Sequence, residues 1–535
     1  MPRKVEIYTI VLLIIFTFYC ALTIGSSWDE PYEMMIGKNR LKYLFSLGSF
    51  KDFQLYKLEE YYPGFYNTIA IFITKIFPTK YEIEIWHLTN AIFSIFTVFG
   101  IYKITSNLFN KKIGKIVFLL CFINPIFFGH MAINSKDTIV SFAHVWTTYI
   151  FLRYIQKQSS NNNLNRYIIF AGLTVGLGTG VRLPFLVTLF PLILFVIIDM
   201  LFLKTIISQK FSTKKFIIDA LKVLVIAYFV TILTWPDVHS NIFTEPFKLF
   251  IAQTKLPAFG VNWLLFNGDF FNTLSVPKSY IIINLIYKSP EFLFVSYLIF
   301  IFLPIINNDF FSFKFNFFWS KILLVVFIIS FPIVVLALIP YRIYDGLRLF
   351  LYLIPYFCII PGLGIYYLIK NLSSLFPKIL FGLTFSLFVY YLFIFFSFTP
   401  YQYTYLNKFI GNLAYADQKF ENDYWAVSIE ELIAKIPKLT NLTSDNKKIK
   451  IAFCGVPYNI GKRELNKLKN LKYEQTDLYN KDVDYIIMTN RTVEKSSDIA
   501  RNDMKTCFKK FEGEDVISIR RKGLMLSTIR KKVKN

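Results

Sequence analysis

Residues 7–32, IYTIVLLIIFTFYCALTIGSSWDEPY, decide the fold class of this 535-residue chain. Residues 7–24 carry no charge and have about the length that crosses a lipid bilayer. We interpret them as a retained membrane span, because no small-residue cleavage site follows as it would after a signal peptide. Two adjacent carboxylates, Asp29 and Glu30, come directly after this span. The sequence therefore predicts a membrane protein with ionisable groups at a span end.

The composition indicates a polytopic α-helical membrane protein. Hydrophobic residues make up 55% and charged residues 18% of the chain, whereas soluble proteins carry about 25% charged residues. These values exclude a disordered chain, a coiled coil and a small disulfide-stapled module. Ten further apolar runs bring the predicted number of transmembrane helices to about 11. They are residues 86–104, 114–129, 138–154, 167–181, 183–203, 218–235, 290–306, 319–338, 348–368 and 378–397.

Basic residues between the spans predict a cytoplasmic N-terminus, since loops rich in Lys and Arg face the cytoplasm. Two long loops, 25–85 and 236–289, then lie on the outer side, and residues 64–78 are expected to form a helix in the outer interface. We predict a membrane domain at 1–400 and a domain outside the cytoplasm at 401–535. The membrane is the inner membrane of a bacterium or, in a eukaryote, that of the endoplasmic reticulum.

The C-terminal part is predicted to be a small α/β domain. Strands are expected at 449–454 and 483–488, helices at 459–471 and 494–510, and a closing hairpin at 516–528. No glycine-rich phosphate loop follows the first strand, so a nucleotide site is not expected. Nucleic acid is not expected as a partner of a domain outside the cytoplasm. A disulfide between Cys454 and Cys507 stays open, and no His or Cys spacing indicates a metal site.

Ionisable residues at membrane level are costly, which makes them the first candidates for a functional site. Asp29 and Glu30 are candidates for acid–base chemistry, because a carboxylate partly withdrawn from water becomes a better base. An alternative is that Asp29 caps a helix that has Pro31 in its first turn.

Basic side chains also lie at predicted span ends. Lys136 precedes Asp137 in a short loop, where the alternative is a plain turn with a local ion pair. Arg182 lies between two apolar runs and either binds a buried anion or extends to the interface. Arg342, Tyr344 and Arg348 share one loop and are candidates to bind phosphate and sugar, although tyrosine is also common in interfacial aromatic belts.

Five short motifs occur in the order found in one enzyme family. They are Asp29-Glu30, the span and basic exit from Trp86 to Phe109, NPIFFGHMAINSKDTIVSF from Asn124 to Phe142, Tyr344-Asp345-Gly346-Leu347-Arg348, and Tyr401 to Asn407 followed by Phe420 to Trp425. In these motifs the chain resembles GT-C glycosyltransferases of the protein O-mannosyltransferase type, which use a polyprenyl-phosphate sugar. It departs from that pattern at Tyr61-Tyr62-Pro63-Gly64, at Ser135, where proline is typical, and at Leu349, where histidine is usual.

The resemblance implies a GT-C fold with interfacial helices in the first outer loop, and inverting transfer of a hexose such as mannose to a hydroxyl. Asp29 would be the general base, Glu30 would support it, and Asp137 would orient the sugar. Lys136, Arg182 and Arg348 would neutralise the donor phosphate. The implied partners are a polyprenyl-phosphate-linked sugar, a protein, lipid or glycan acceptor, and membrane lipids. No cofactor is certain, and the divalent cation that some relatives use stays open.

Two other functions remain as alternatives. The first is a GT-C transferase of the aminoarabinose type that modifies an outer lipid or glycan. The second is a transporter or scaffold without catalytic activity. A transporter would place its binding site near the middle of the bilayer, whereas the candidate residues map to outer span ends.

Overall fold

The computed structural model describes residues 3–50, 59–158, 163–207, 211–254, 263–306, 309–438, 448–469, 471–493 and 503–533. The part up to residue 400 is almost entirely helical in these ranges. Its α-helices are α1 Arg3–Thr23, α2 Glu30–Phe45, α3 Phe65–Thr74, α4 Glu82–Leu108, α5 Lys111–Phe122, α6 Pro125–His130, α7 Asp137–Gln158, α8 Asn165–Val181, α9 Phe185–Thr188, α10 Phe190–Ile198, α11 Thr213–Leu233, α12 Glu245–Thr254, α13 Tyr280–Lys288, α14 Glu291–Ile306, α15 Phe310–Lys314, α16 Phe318–Leu338, α17 Ile354–Phe357, α18 Ile359–Lys370 and α19 Leu375–Ser397.

Seven of the described helical stretches are long and apolar enough to cross a membrane. The number is eight if α13 and α14, whose axes are bent by 116° at the break between them, form one broken span. The chain is therefore an integral membrane protein. Helices also cover the remaining predicted spans, but α5 and α6 are short and α7 and α8 are less apolar. The predicted number of eleven spans thus stays a prediction.

The low hydropathy of α7 has a structural reason. Thr138, Ser141 and His144 on this helix are buried against neighbouring helices, and the His144 ring hydrogen-bonds with the Tyr356 hydroxyl at 2.9 Å. Polar side chains are tolerated in a membrane helix when they face the bundle and have partners there. A helix surrounded by protein does not need the continuous apolar surface that a hydropathy test detects.

The segment predicted as the first outer loop holds two described α-helices, α2 and α3, which pack against each other. In α2, a Cβ at Gly37 would lie 2.4 Å from the carbonyl oxygen of Asn67 in α3, so the two helices approach as closely as glycine allows. Helix α3 has 10 residues, too few to cross a bilayer. It lies within the stretch 64–78, where the sequence predicts an interfacial helix.

The C-terminal part forms the predicted small α/β domain, built on a mixed five-stranded sheet with the order β4-β3-β5-β7-β6, in which β4 was not predicted. Its elements are β3 Ile449–Cys454, α21 Tyr458–Asn466, β4 Tyr473–Gln475, β5 Tyr485–Thr489, α22 Cys507–Lys510, β6 Gly513–Arg521 and β7 Leu524–Lys532. The hairpin of β1 Trp263–Phe266 and β2 Asp269–Asn272, which precedes α13, lies outside this sheet. Cys454 and Cys507, left open from the sequence, form a disulfide. The helix predicted at 494–510 is observed only as α22, and residues 494–502 lie outside the described residues.

Residues 401–438 connect the last membrane helix to this sheet. They contain short helical turns and α20, Ile429–Ala434. Most of their aromatic side chains, among them Tyr403, Tyr424 and Trp425, are almost fully buried, whereas Phe409 and Tyr415 are exposed. The Trp425 carbonyl accepts a 3.0 Å hydrogen bond from the Trp28 backbone, next to the end of the first span. The connecting segment therefore packs on the membrane helices, and the domain boundary at 401 stays a prediction.

Candidate active site

The site begins where α2 is anchored. The Glu30 carboxylate accepts hydrogen bonds from the Ser27 backbone at 2.7 Å and from the Ser26 hydroxyl at 3.1 Å. Its other oxygen lies 2.8 Å from Nε2 of His87 in α4. A glutamate that reaches back three residues to a backbone N–H is the reciprocal half of a helix capping box. Glu30 thus fixes the start of α2 and, with it, the preceding residue Asp29.

Asp29 itself makes no capping hydrogen bond, so the alternative that it caps α2 does not describe its side chain. Instead, Nη1 of Arg348 lies 3.1 Å from Oδ2 of Asp29. Burial raises the pKa of Asp29, but the charges of Arg348, Lys136 and Arg182 outweigh it and hold the pKa below its usual range. The side chain keeps 31% of its surface exposed. Asp29 is therefore an ionised carboxylate that still reaches open space.

Asp137 is the first residue of α7 and lies beside Arg348, the partner of Asp29. Its Oδ1 is 2.9 Å from Nη2 of Arg182, and its Oδ2 is 4.0 Å from Nε of Arg348. The Asn134 side chain donates a 3.1 Å hydrogen bond to Asp137 and accepts one from the Asp137 backbone at 2.9 Å. Arg182 thus turns towards the site and pairs with Asp137 rather than extending to the interface. Anion binding by Arg182 stays a prediction.

Lys136 points away from its neighbour Asp137 and pairs with Glu33 of α2, so the two side chains do not form the local ion pair of a plain turn. Its ammonium also lies 4.8 Å from the centre of the Tyr62 ring. Burial lowers the pKa of Lys136, but the negative charges of Glu33 and Asp29 raise it by more than burial lowers it. The pKa is therefore above its usual value, and the amine stays charged.

Arg348 is the centre of the cluster. Besides Asp29 and Asp137, its guanidinium contacts Asp345, with 3.3 Å between Nη1 and Oδ2. The Tyr344 ring covers it at 4.8 Å and the Trp425 ring at 5.0 Å. Arg342 makes no ion pair with these acids in the described ranges, although the sequence groups it with Arg348. Of the loop residues proposed for substrate binding, the structure brings only Tyr344 and Arg348 into the cluster.

The C-terminal sheet domain contributes a cation that the sequence did not indicate. Nη1 of Arg491 lies 3.0 Å from Oδ1 of Asp345 and also donates to the carbonyl of Tyr424. Its guanidinium lies 5.2 Å from the centre of the Trp28 ring, directly before Asp29. Glu33 was likewise not singled out as a site residue, because its polar partners come from α3 and from the loop before α7.

The charges of this cluster balance in the described part of the chain. One chain of contacts links three carboxylates with three cations: Asp29, Asp137 and Asp345 with Arg182, Arg348 and Arg491. Glu33 and Lys136 add a separate ion pair, which makes four carboxylates and four cations. Asp29 is the exception in exposure, since Glu33, Asp137 and Asp345 expose 1%, 5% and 3% of their side chains. An anion that enters must compete with these carboxylates for cations that are already paired.

The same acids do not offer a ready metal site. Within the residues described, no group of three or more His, Cys, Asp or Glu side chains is arranged to hold a metal ion. Each carboxylate of the cluster already has a lysine or arginine partner.

Comparison with known proteins adds a family match and two related folds. Residues 63–235 match the family model described as dolichyl-phosphate-mannose-protein mannosyltransferase. The crystal structure of ArnT from Cupriavidus metallidurans bound to undecaprenyl phosphate is 10% identical, with a TM-score of 0.51 over 100% of this chain and 99% of that one. The same protein in the apo state gives the same values.

A second kind of structure is more distant. The oligosaccharyltransferase AglB from Archaeoglobus fulgidus, in complex with an inhibitory peptide and a dolichol-phosphate, is 10% identical. Its TM-score is 0.49, over 90% of this chain and 69% of that one. No curated protein sequence matches the chain. The full-length likeness to ArnT shows a shared fold that includes the C-terminal domain.

Proposed function

We propose that this chain, an integral membrane protein with the GT-C glycosyltransferase fold, transfers a sugar from a polyprenyl-phosphate donor to an acceptor hydroxyl with inversion. The observation that carries the proposal is the neutral, mostly buried ion cluster in which Asp29 is the most exposed carboxylate. Such a cluster suits a substrate that brings a negative charge and needs a base beside it. A hexose such as mannose is the proposed sugar, in line with the family whose model matches.

The donor phosphate is expected to bind Arg182, Lys136 and Arg348. The positive charges of all three lower the pKa of the Asp29 carboxyl. Arg182 keeps 26% of its side chain exposed, more than Lys136 at 13% and Arg348 at 5%, so it is the most accessible of the three cations. The crystal structure of ArnT contains undecaprenyl phosphate, which supports this class of donor for the same fold.

The reaction needs one proton transfer and one displacement. The acceptor oxygen attacks the anomeric carbon while Asp29 takes the hydroxyl proton. The bond between that carbon and the phosphate oxygen breaks, and its electron pair leaves with the polyprenyl phosphate. The negative charge on the leaving phosphate grows in this step, and fixed cations at that position stabilise the transition state. Asp137, held by Asn134 and Arg182, is proposed to orient the sugar.

Donor binding would also tune the base. In the ligand-free site, three cations keep the pKa of Asp29 low, which makes it a weak base. A bound phosphate shares those positive charges and so raises the pKa of Asp29 towards its usual range. The carboxylate becomes a stronger base only when the donor is in place.

The C-terminal domain, predicted at residues 401–535, is proposed to lie outside the cytoplasm. The Cys454–Cys507 disulfide supports this, because disulfides persist mainly in oxidising compartments. The sugar-transfer site, which contacts the same domain through Arg491, would then open on the outer face.

A lipid or glycan is the second candidate acceptor, in place of a protein. The specific observation in its favour is the likeness to ArnT over 100% of this chain, C-terminal domain included. Mass shifts in the protein fraction and in the lipid fraction of a deletion strain, each compared with the parent strain, distinguish the two acceptors.

The test of the proposed function uses purified protein with undecaprenyl-phosphate-mannose. Asp29→Asn keeps the shape of the side chain and removes the base, so we expect turnover to fall ~100- to 10,000-fold. Donor binding should persist, since the cations remain. Asp482→Asn, at a 73% exposed carboxylate of the sheet domain, is the matched control. Near wild-type turnover of Asp29→Asn would remove Asp29 as the base.

A further inference from the structure

The turn from Glu59 to Gly64, directly before α3, is held in place by a buried arginine. Arg40 of α2 donates from Nη2 to the backbone carbonyls of Glu59 and Tyr62, both at 2.9 Å. Its Nη1 lies 2.9 Å from Oδ2 of Asp237. Gly64 has a φ of +72°, and a Cβ there would lie 2.9 Å from Cδ of Arg40. The absence of a side chain at this position therefore lets the arginine reach both carbonyls.

Two further hydrogen bonds fix the same turn from the residues that follow α11. Nε1 of Trp235 donates to the Glu60 carbonyl at 2.7 Å, and the Thr234 hydroxyl donates to the Pro63 carbonyl at 3.2 Å. The backbone is thus bonded on both sides of Tyr62 as well as at Tyr62 itself. A side chain carried by such a rigid backbone loses less freedom when it binds a ligand.

The Tyr62 side chain lies next to two cations of the ion cluster. The centre of its ring is 4.8 Å from Nζ of Lys136. Tyr62 is also close to Arg182: burial lowers the pKa of that guanidinium, but Asp137 and then Tyr62 raise it above its usual value. Both cations lower the pKa of Asp29. Tyr62 therefore contacts the part of the cluster that the proposed function assigns to the donor phosphate.

The hydroxyl of Tyr62 is available to a ligand. The side chain is half-buried, and in the part of the chain that the structure describes its hydroxyl makes no hydrogen bond. Tyr424 and Tyr403, by contrast, use their hydroxyls within the protein, on His130 and Asp423. A phenol hydroxyl both donates and accepts, and its bond to a charged oxygen is stronger than its bond to a neutral one.

An anion with several acceptor atoms fits this place best. Lys136 and Arg182 supply positive charge, and the non-bridging oxygens of a phosphate accept hydrogen bonds from more than one donor. The charges of the cluster balance within the described residues, so a further cation would need a further carboxylate. A neutral hydroxyl adds a donor without adding a charge that is costly to bury while the site is empty.

We propose that Tyr62 is a further donor-binding residue, whose hydroxyl donates a hydrogen bond to the phosphate that Lys136 and Arg182 also contact. The proposal rests on the proposed function, because it adds a residue to the same site. The stretch from Tyr61 to Gly64 is one of the places where the chain departs from the family pattern, so this contact would be particular to this chain. Tyr62 transfers no proton. It holds the phosphate while the bond to the anomeric carbon breaks.

The test measures binding of two probes to the purified protein in lipid nanodiscs: undecaprenyl phosphate, and undecaprenol, which has the same chain without the phosphate. Tyr62→Phe removes only the hydroxyl and keeps the ring next to Lys136. We expect its affinity for undecaprenyl phosphate to fall ~10- to 100-fold, as for the loss of a hydrogen bond to a charged group. Binding of undecaprenol and the thermal unfolding temperature should not change.

Tyr61→Phe is the matched control, because it removes the same group from the neighbouring residue. The Tyr61 hydroxyl interacts with Glu60, which raises its pKa, and among the described residues it is not paired with a cation of the cluster. Tyr61→Phe should therefore bind both lipids as the wild type does. An equal loss of affinity in the two variants would show that the effect comes from the turn as a whole, and the assignment of Tyr62 would be wrong.

The other outcomes separate this proposal from the proposed function. If Tyr62→Phe binds undecaprenyl phosphate as the wild type does, Tyr62 does not bind the phosphate, although the glycosyltransferase proposal stands. If Tyr62→Phe weakens undecaprenol equally, its hydroxyl does not act on the phosphate and the assignment is wrong. If the wild type binds undecaprenyl phosphate no better than undecaprenol, the proposed donor class fails, and the role of Tyr62 fails with it.

Discussion

Asp29 and Asp137 are chemically identical side chains in one cluster, yet their surroundings give them different roles. Asp137 exposes 5% of its side chain and is fixed by Asn134 and Arg182. Asp29 exposes 31% and is held by one arginine, Arg348. A base must reach the acceptor, while a residue that orients the sugar must be rigid. On the proposed function, exposure and the number of partners favour Asp29 over Asp137 as the base.

The first prediction at this scale concerns pH. The charge of Arg348 helps hold the pKa of Asp29 below its usual range, so Arg348→Gln should raise that pKa. Activity that needs ionised Asp29 is lost as the pH falls through its pKa. The acidic limb of kcat/KM, which reports the free enzyme, should therefore move to higher pH in the variant.

Arg348→Lys is the matched control, because it keeps the positive charge near Asp29. Its acidic limb should stay close to that of the wild type. Both variants are expected to lower the maximal rate, since Arg348 also faces the leaving phosphate, so the position of the limb is the readout. An unmoved limb in Arg348→Gln would show that the group titrating in kcat/KM is not Asp29.

Sequence reasoning found most of this site and missed the contacts between distant segments. Asp29, Lys136, Asp137, Arg182 and Arg348 all stand out as charges at apolar run ends, and the structure brings them together. Whether they catalyse stays a prediction. Arg491 is a single arginine in a basic domain, and its proximity to Asp345, 146 residues earlier, has no local signal in the sequence.

At the scale of elements, the first turn of α2 is the structure that presents the base. Glu30 is 1% exposed and joins the start of α2 to His87 of α4 and to the Ser26–Ser27 turn. The role predicted for Glu30 in supporting the base is compatible with this position. It would act through the backbone rather than by contact with substrate.

We therefore predict that Glu30→Ala lowers both stability and turnover. Removing one partner of a buried ion pair costs about 3–5 kcal/mol, so the thermal unfolding temperature should fall. Turnover should fall because Asp29 is no longer fixed, whereas the affinity for undecaprenyl phosphate should change little. Glu60→Ala, in the same outer loop, is the control.

Two results would contradict this account of Glu30. A variant that unfolds at a lower temperature but keeps full turnover would show that Glu30 is structural without positioning Asp29. A variant with wild-type stability would show that the contact with His87 contributes little to the fold.

The positions of the strands were easier to predict than the number of helices that cross the membrane. Strand β3 begins and ends where the alternation of IKIAFC placed it, and the hairpin of β6 and β7 follows its two apolar runs. The count of spans was harder, because α7 is packed among other helices and needs little lipid-facing surface. Helix α8 has only 17 residues, fewer than the roughly 20 that a spanning helix needs. High hydropathy identifies helices with a lipid-facing surface, and it misses helices that are surrounded by other helices of the bundle.

At the scale of the whole molecule, Arg491 is the described side chain that joins the C-terminal sheet to the ion cluster. Arg491 contacts Asp345, the Tyr424 carbonyl and the Trp28 ring. These three groups lie in the loop that carries Arg348, in the connecting segment and directly before Asp29. The domain thus fixes the position of the loop that carries Arg348 relative to the segment that carries Asp29.

The prediction at this scale is that Arg491→Ala lowers kcat more than it raises KM, because the substrate-facing cations remain while their alignment is lost. Arg491→Lys should restore part of kcat, since the charge next to Asp345 returns. Arg520→Ala, at an exposed arginine of the same domain, serves as the control. Equal changes in kcat and in the thermal unfolding temperature for Arg491→Ala and Arg520→Ala would contradict a positioning role.

The contact of Arg491 has a consequence for the timing of biogenesis. Arg491 is translated after every membrane helix, and its carbonyl accepts a 2.8 Å hydrogen bond from Cys507, one half of the disulfide. A nascent chain that already holds Asp29 and Arg348 in the membrane therefore lacks the last cation of the cluster. On the proposed function, the protein would gain full activity only after its final domain has crossed the membrane, folded and been oxidised, which protects newly made neighbours from premature modification.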